Sequence, residues 1–126
     1  MLAFSWDQIF LGQNSVDLFN EKCIRASKGA CFRIPYQRLN YGELEEYSSS
    51  NSIPIMIADM NGEDPQKINP PESFILVLGN EGQGVNLPSK AQHQCLSIPM
   101  QSNCESLNVG IAGSILMYLL QPTNKA

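Results

Sequence analysis

The segment Phe74-Ile75-Leu76-Val77-Leu78 most constrains the fold. Five consecutive large apolar residues leave no polar face, so the segment predicts a strand buried on both sides. A central parallel strand meets that requirement. Gly79-Asn80-Glu81-Gly82-Gln83-Gly84 follows directly. Three glycines in six residues place several backbone N–H groups where ligands bind α/β sheets, at a strand's carboxyl end. The spacing is not GxGxxG, and no Walker lysine follows, so dinucleotide and P-loop assignments are weak. Read alone, the loop is equally a ligand site or a tight turn.

Other segments fit the same fold class. Ile9–Leu11, Ala30–Ile34, Ile53–Ala58 and Cys95–Ile98 read as strands. Pro54 restricts its segment to an edge strand or a strand start. Asn20 is a candidate helix cap, with Lys28 near the helix end and Gly29 just beyond it. A second helix is expected from Glu43 to Tyr47, followed by a turn over Ser48–Ser52. Asn61-Gly62 and Pro70-Pro71 are turn signals, and Pro88 suits the start of a helical turn. Ser106 to Leu120 is the longest helical run, and its Gly110 and Gly113 permit close packing. Strands alternating with helices predict one α/β domain with a mostly parallel sheet and flanking helices. A chain of 126 residues suits one domain better than two.

Composition excludes several classes. With 43% hydrophobic and 16% charged residues, the chain is built to fold. No apolar run reaches membrane-span length, and Met1–Phe10 lacks the basic start of a targeting peptide. A net charge of −4 argues against nucleic-acid binding by bulk charge. Yet Lys22, Arg25, Lys28, Arg33 and Arg38 fall in one stretch without an acid. That stretch is either a local anion-docking patch or a solvated helix face followed by an edge strand. Cys23, Cys31, Cys95 and Cys104 form no CxxC pair, and His93 is the only histidine. No metal is expected, and buried free thiols imply a reducing compartment, the cytoplasm or an organelle.

A second polar cluster, Asn103, Cys104, Glu105, Ser106 and Asn108, also follows a strand and leads into a helix. Two such loops suggest one crevice. Ser106 lacks a nucleophile elbow and could serve only as a helix cap.

Taken together, Phe74–Gly84, Ile98-Pro99-Met100 and Glu105-Ser106-Leu107-Asn108 with its Gly/Ala-rich helix resemble the second and third motifs of a known family. This is the SpoU (TrmH-like) RNA ribose 2′-O-methyltransferases of the SPOUT superfamily. Arg25-Ala26-Ser27-Lys28-Gly29-Ala30 resembles the family's upstream Arg-Ala-Ser-x-Gly segment. The resemblance implies an α/β domain with a deep trefoil knot near the C-terminus, normally a homodimer. It implies S-adenosylmethionine bound by Leu78, Gly79, Asn80, Gly82, Ile98, Met100 and Leu107. Ser106, Asn108 and Glu81 would form the catalytic region, with Glu81 either reactive or structural. Lys22, Arg25 and Lys28 would face a tRNA or rRNA substrate. The implied reaction moves a methyl from a sulfonium to a ribose 2′-hydroxyl. Met1–Asp7 resembles the point just after the family's first motif, whose catalytic arginine has no match here. The chain is therefore expected to be a partial domain or a short homologue. The alternative reading is a non-catalytic RNA-binding or assembly module that keeps the knot.

Overall fold

The computed structural model describes residues 4–12, 17–79, 85, 87, 90–101 and 108–121. Five strands and three α-helices are assigned among these residues. They are β1 (Ile9–Leu11), α1 (Glu21–Ser27), β2 (Tyr36–Arg38), α2 (Tyr41–Asn51), β3 (Ile55–Glu63), β4 (Ile75–Val77), β5 (Gln94–Leu96) and α3 (Val109–Leu119). Short 3-10 turns occupy Ala30–Phe32, Pro65–Lys67 and Lys90–Gln92. Every strand pair is parallel: β1 with β2, and β3 with both β4 and β5.

The three-stranded sheet runs β4-β3-β5. Its central strand is β3, so the expectation for Phe74–Leu78 is corrected. That run's residues Ile75–Val77 form β4, at an edge of the described sheet, with Ile75 and Val77 packed on one face and Phe74 and Leu76 on the other. Pro54 stands just before β3, where its missing N–H costs no ladder bond, and its carbonyl accepts from Ile75 N at 2.9 Å.

Side-chain alternation divides the core into two layers. Ile55, Ile57 and Val77 pack with Leu44 of α2, Val85 and Leu87, joined by Phe10, Leu39, Ile75 and Cys95. Met56 and Leu96 pack on the opposite face with Leu116 and Leu120, joined by Trp6, Ala58, Phe74, Leu76 and Ile98. Helix α2 thus covers one face and α3 the other. The chain's start is tied to α3, where Trp6 Nε1 donates to Met117 O at 3.1 Å. The Trp6 ring also meets Phe74 edge-on, with centroids 5.3 Å apart.

Local chemistry explains the helix limits. Asn20 caps α1 by accepting from Cys23 N at 2.9 Å. The helix closes at Lys28 (φ 52°) and Gly29 (φ 80°), both left-handed, as the sequence suggested. Asn40 and Glu43 form a reciprocal capping box at the start of α2. With that start fixed, α2 continues through the serines to Asn51, correcting the expected turn. It stops where Ser52 turns left-handed at φ 54°.

Two further expectations are corrected. The strand expected over Ala30–Ile34 is instead a 3-10 turn at Ala30–Phe32 followed by a bend. Its buried residues, Cys31 and Ile34, lie three apart, a helical spacing. The strand follows at Tyr36–Arg38, and Pro35 introduces it, its carbonyl accepting from Ile9 N at 2.9 Å. Asn61-Gly62 does not end a strand. Ala58 and Glu63 both pair with Leu96, so residues 59–62 form a bulge within β3. A Cβ on Gly62 would lie 2.4 Å from backbone atoms of Cys95 and Leu96. Glycine is what lets β3 and β5 meet there.

Candidate active site

Strands β4 and β5 flank β3 and run the same way, so their carboxyl ends open on one edge of the sheet. Two strand spacings separate them, about 10 Å. This is the crevice in which α/β sheets bind ligands. Leu78 and Gly79 leave β4 there, and Ile98 and Met100 follow β5. Leu78 and Met100 are each 38% exposed, an unusual state for large apolar groups at the ends of core strands. Both belong to the residues expected to meet the cofactor. Ile98 faces inward onto the layer of Leu96 and Leu116, anchoring the chain beyond β5.

Helix α3 locks onto this edge through Leu78. A Cβ at the buried Gly113 would lie 2.6 Å from Leu78 Cδ1. Gly113 therefore lets the helix surface approach the end of β4. Gly110 has a different neighbour: its nearest potential clash is the Asn108 side chain at 3.1 Å.

Asn108 is the N-cap of α3. Its Oδ1 accepts from Gly110 N at 2.8 Å and Ile111 N at 3.3 Å. The cap considered for Ser106 thus belongs to Asn108, and the helix starts at Val109. Asn80, Glu81, Gly82, Ser106 and Leu107 lie outside the described residues.

The residues expected to face RNA lie apart, on α1 and its end. Lys22, Arg25 and Lys28 are exposed. Arg25 is engaged within the helix, its Nη2 donating to Glu21 Oε1 at 2.7 Å. Sequence reasoning named Gly113 only as a packing glycine and missed its contact with Leu78. The signal was the glycine's position within an otherwise apolar helix.

An ion pair links β3 to the turn before β5. Lys90, in the turn before β5, bonds Asp59 of the bulge. The bond to Lys90 holds the Asp59 carboxyl below its ordinary value, and a bond from Asn61 N adds to this. The same carboxylate pushes the Lys90 ammonium upward. Cys23, Cys31 and Cys95 are free thiols. Among the described residues, no three His, Cys, Asp or Glu side chains converge as metal ligands. No helix among them is long and apolar enough to cross a membrane.

Comparison with known proteins matches this arrangement. The model of the SpoU rRNA methylase family matches residues 1–118. The 23S rRNA (guanosine(2553)-2′-O)-methyltransferase RlmP of Bacillus subtilis is 35% identical over 121 residues, covering 94% of this chain and 49% of that protein. The chain spans about half the length of the first curated relatives it matches. A solved structure described as a TrmH-family RNA methyltransferase, from Porphyromonas gingivalis, superposes with a TM-score of 0.83 at 33% identity. It covers 96% of this chain and 51% of that one. An AdoMet-bound rRNA methyltransferase from Sinorhizobium meliloti has the same fold, with a TM-score of 0.87 at 23% identity, over 96% of this chain and 48% of that one. The α/β class, the parallel sheets and the flanking helices are therefore those of the SPOUT knot fold. Family match, sequence relatives and fold agree: the chain belongs to the SpoU rRNA methylase family of the SPOUT superfamily.

Proposed function

We propose that residues 1–126 form one SpoU-type domain that transfers a methyl group from S-adenosylmethionine to a ribose 2′-hydroxyl of tRNA or rRNA. The observation carrying this reading is the exposure of Leu78 and Met100 beyond β4 and β5, the two strands that flank β3, with Gly113 seating α3 against Leu78. Exposed apolar walls beside a glycine suit an adenosine-bearing ligand, because Gly79 leaves room for close backbone approach.

When bound, S-adenosylmethionine supplies an electrophilic methyl on a sulfonium. The chain's own contribution is largely positional. Leu78 and Met100 would flank the ligand and exclude water, while Gly79, Ile98 and Leu107 would contact it mainly through backbone groups, with Asn80 and Gly82 near it. Asn108 fixes where α3 starts. Ser106 would complete the polar region that orders the ribose, and the Glu81 carboxylate is the group there able to accept the hydroxyl proton as the oxygen attacks the methyl. Lys22, Arg25 and Lys28 contribute to RNA contact. Two copies of the chain would join two basic segments and raise avidity. Free Cys23, Cys31 and Cys95 accord with a reducing compartment such as the cytoplasm.

The test is transfer of tritiated methyl from S-adenosylmethionine to bulk tRNA and rRNA, with nucleoside analysis of the product. The reading expects 2′-O-methyl nucleosides. Base-methylated product, or RNA binding without S-adenosylmethionine binding, would replace it with another reading.

A further inference from the structure

Outside this crevice, three aromatic rings gather on the surface of the basic stretch. Phe19 stacks on Phe32, with centroids 5.3 Å apart and planes 16° from parallel. Tyr36 meets Phe19 edge-on at 5.4 Å. The rings come from three separately fixed pieces of backbone. Phe19 is held by Asp17, whose carboxylate accepts from Phe19 N at 3.0 Å. Phe32 ends the turn closed by Phe32 N donating to Gly29 O at 3.1 Å. Tyr36 opens β2, registered on Ile9.

The cluster is built and yet uncovered. Phe32 is 63% exposed and Tyr36 46%. A single exposed ring is unremarkable. Phe19 in contact with both Phe32 and Tyr36, with Phe32 stacked and open, makes a preformed aromatic platform. Its charge setting is mainly basic. Lys22, Arg33 and Arg38 are exposed, and none forms an ion pair with another described residue. Arg33 adjoins Phe32 in the chain, and Arg38 lies two residues from Tyr36, on the same face of β2. Of the nearby acids, Glu21 is paired with Arg25 and the Asp17 carboxylate bonds backbone.

We propose that Phe19, Phe32 and Tyr36 form a stacking platform for an unpaired base of an RNA strand whose phosphates are held by Lys22, Arg33 and Arg38. The outward face of Phe32 extends the existing stack by one base, and the three cations meet the strand's backbone. Aromatic stacking with adjacent cations is how unpaired strands are held with little dependence on sequence. This rests on the reading of RNA as substrate. It adds a surface built from residues other than those proposed for methyl transfer, and the form of RNA that surface takes: single-stranded, with at least one base splayed out.

The test uses the 126-residue chain and a fluorescent oligouridylate of about ten nucleotides, with binding read by anisotropy. A matched oligonucleotide carrying abasic sites removes the bases and keeps the phosphates. Phe32→Leu is expected to weaken binding of the oligouridylate roughly 5- to 100-fold, the range of one lost base stack. Phe32→Tyr should bind as the parent does. The abasic strand should bind both Phe32→Leu and the parent equally weakly. Arg33→Gln with Arg38→Gln should flatten the salt dependence by about 0.7 for each phosphate contact removed.

Equal affinity of the parent for both strands, or no effect of Phe32→Leu, would overturn the proposal. So would a Phe32→Leu chain that loses self-association in sedimentation while keeping its RNA affinity, since the face would then join copies of the chain. Binding of S-adenosylhomocysteine, followed in parallel, should be the same in Phe32→Leu as in the parent. Its absence from both, with stacking intact, would defeat the methyl-transfer reading alone.

Discussion

Replacing Gly113 with alanine sets two physical effects against each other. An alanine inside a helix is favoured over glycine by about 1 kcal/mol. The added methyl would lie 2.6 Å from Leu78 Cδ1, well inside van der Waals contact. Overpacking of this kind typically costs about 1–3 kcal/mol. Leu78 is a flexible side chain that is 38% exposed, so it can swing away, which places the cost at the lower end. The net expectation for Gly113→Ala is a loss of about 0–1 kcal/mol, combining these values. The larger consequence is expected on ligand binding, because Leu78 is one of the residues proposed to flank the ligand. S-adenosylhomocysteine affinity should fall about tenfold, the equivalent of about 1.4 kcal/mol. Urea unfolding measures the first effect and titration calorimetry the second. Leu78→Ala removes the clash, so in that background Gly113→Ala should become stabilising. The two substitutions should show a coupling of about 0.5–3 kcal/mol. A Gly113→Ala chain that gains the full helix increment and binds the ligand unchanged would refute the contact and its link to the site.

Three further outcomes follow from the geometry. Gly62→Ala should destabilise by at least about 1–3 kcal/mol, because the added carbon meets β5 backbone and not a movable side chain; an unchanged urea midpoint would contradict the β3–β5 approach. Asn108→Ala should cost about 1 kcal/mol through the lost cap, and Asn108→Asp should restore most of it. Methyl transfer that recovers along with stability would make Asn108 a positioning residue, whereas transfer lost in both variants would place its side chain in direct contact with substrate. The Asp59–Lys90 pair should stabilise the parent over Asp59→Asn across a defined pH window. Asp59, held below its ordinary value near 3.8, adds stability above that pH and loses it as acid protonates the folded carboxyl. Lys90, raised above its ordinary value near 10.5, adds stability below that pH and loses it as base removes its proton. Unfolding curves should therefore diverge near neutrality and converge at both extremes; a constant offset at every pH would remove the ion pair from the account.

Several elements were legible because local chemistry determines them. Asn20, Lys28 and Gly29 bound α1 through side-chain capping and left-handed backbone, and each is visible as a residue type. The apolar character of Ile53–Ala58 and Phe74–Leu78 identified strands, but not which was central. That order depends on pairing between distant segments, and burial by helices and loops hides an edge as well as neighbouring strands do. Tyr36–Arg38 carried no apolar signal because β2 pairs with β1 and leaves its own side chains exposed. The spacing of Cys31 and Ile34 contained the information for a turn, overridden by their β-favouring neighbours. Beyond β4 and β5, the sequence singled out Leu78, Gly79, Ile98 and Met100 as motif residues, whereas the seating of α3 on Leu78 arises only from tertiary packing. The aromatic platform was invisible for the same reason: Phe19, Phe32 and Tyr36 have no common periodicity.

The central claim is that the edge formed by β4, β5 and α3 binds S-adenosylmethionine. Its most direct test is calorimetry of the chain with S-adenosylhomocysteine at two well-separated temperatures, so that a binding enthalpy near zero at one appears at the other. The account expects saturable heat at one site per chain, with a negative heat-capacity change from burial against Leu78 and Met100, and a weaker isotherm for Gly113→Ala. A cooperatively folded chain that gives no saturable heat at either temperature would contradict it.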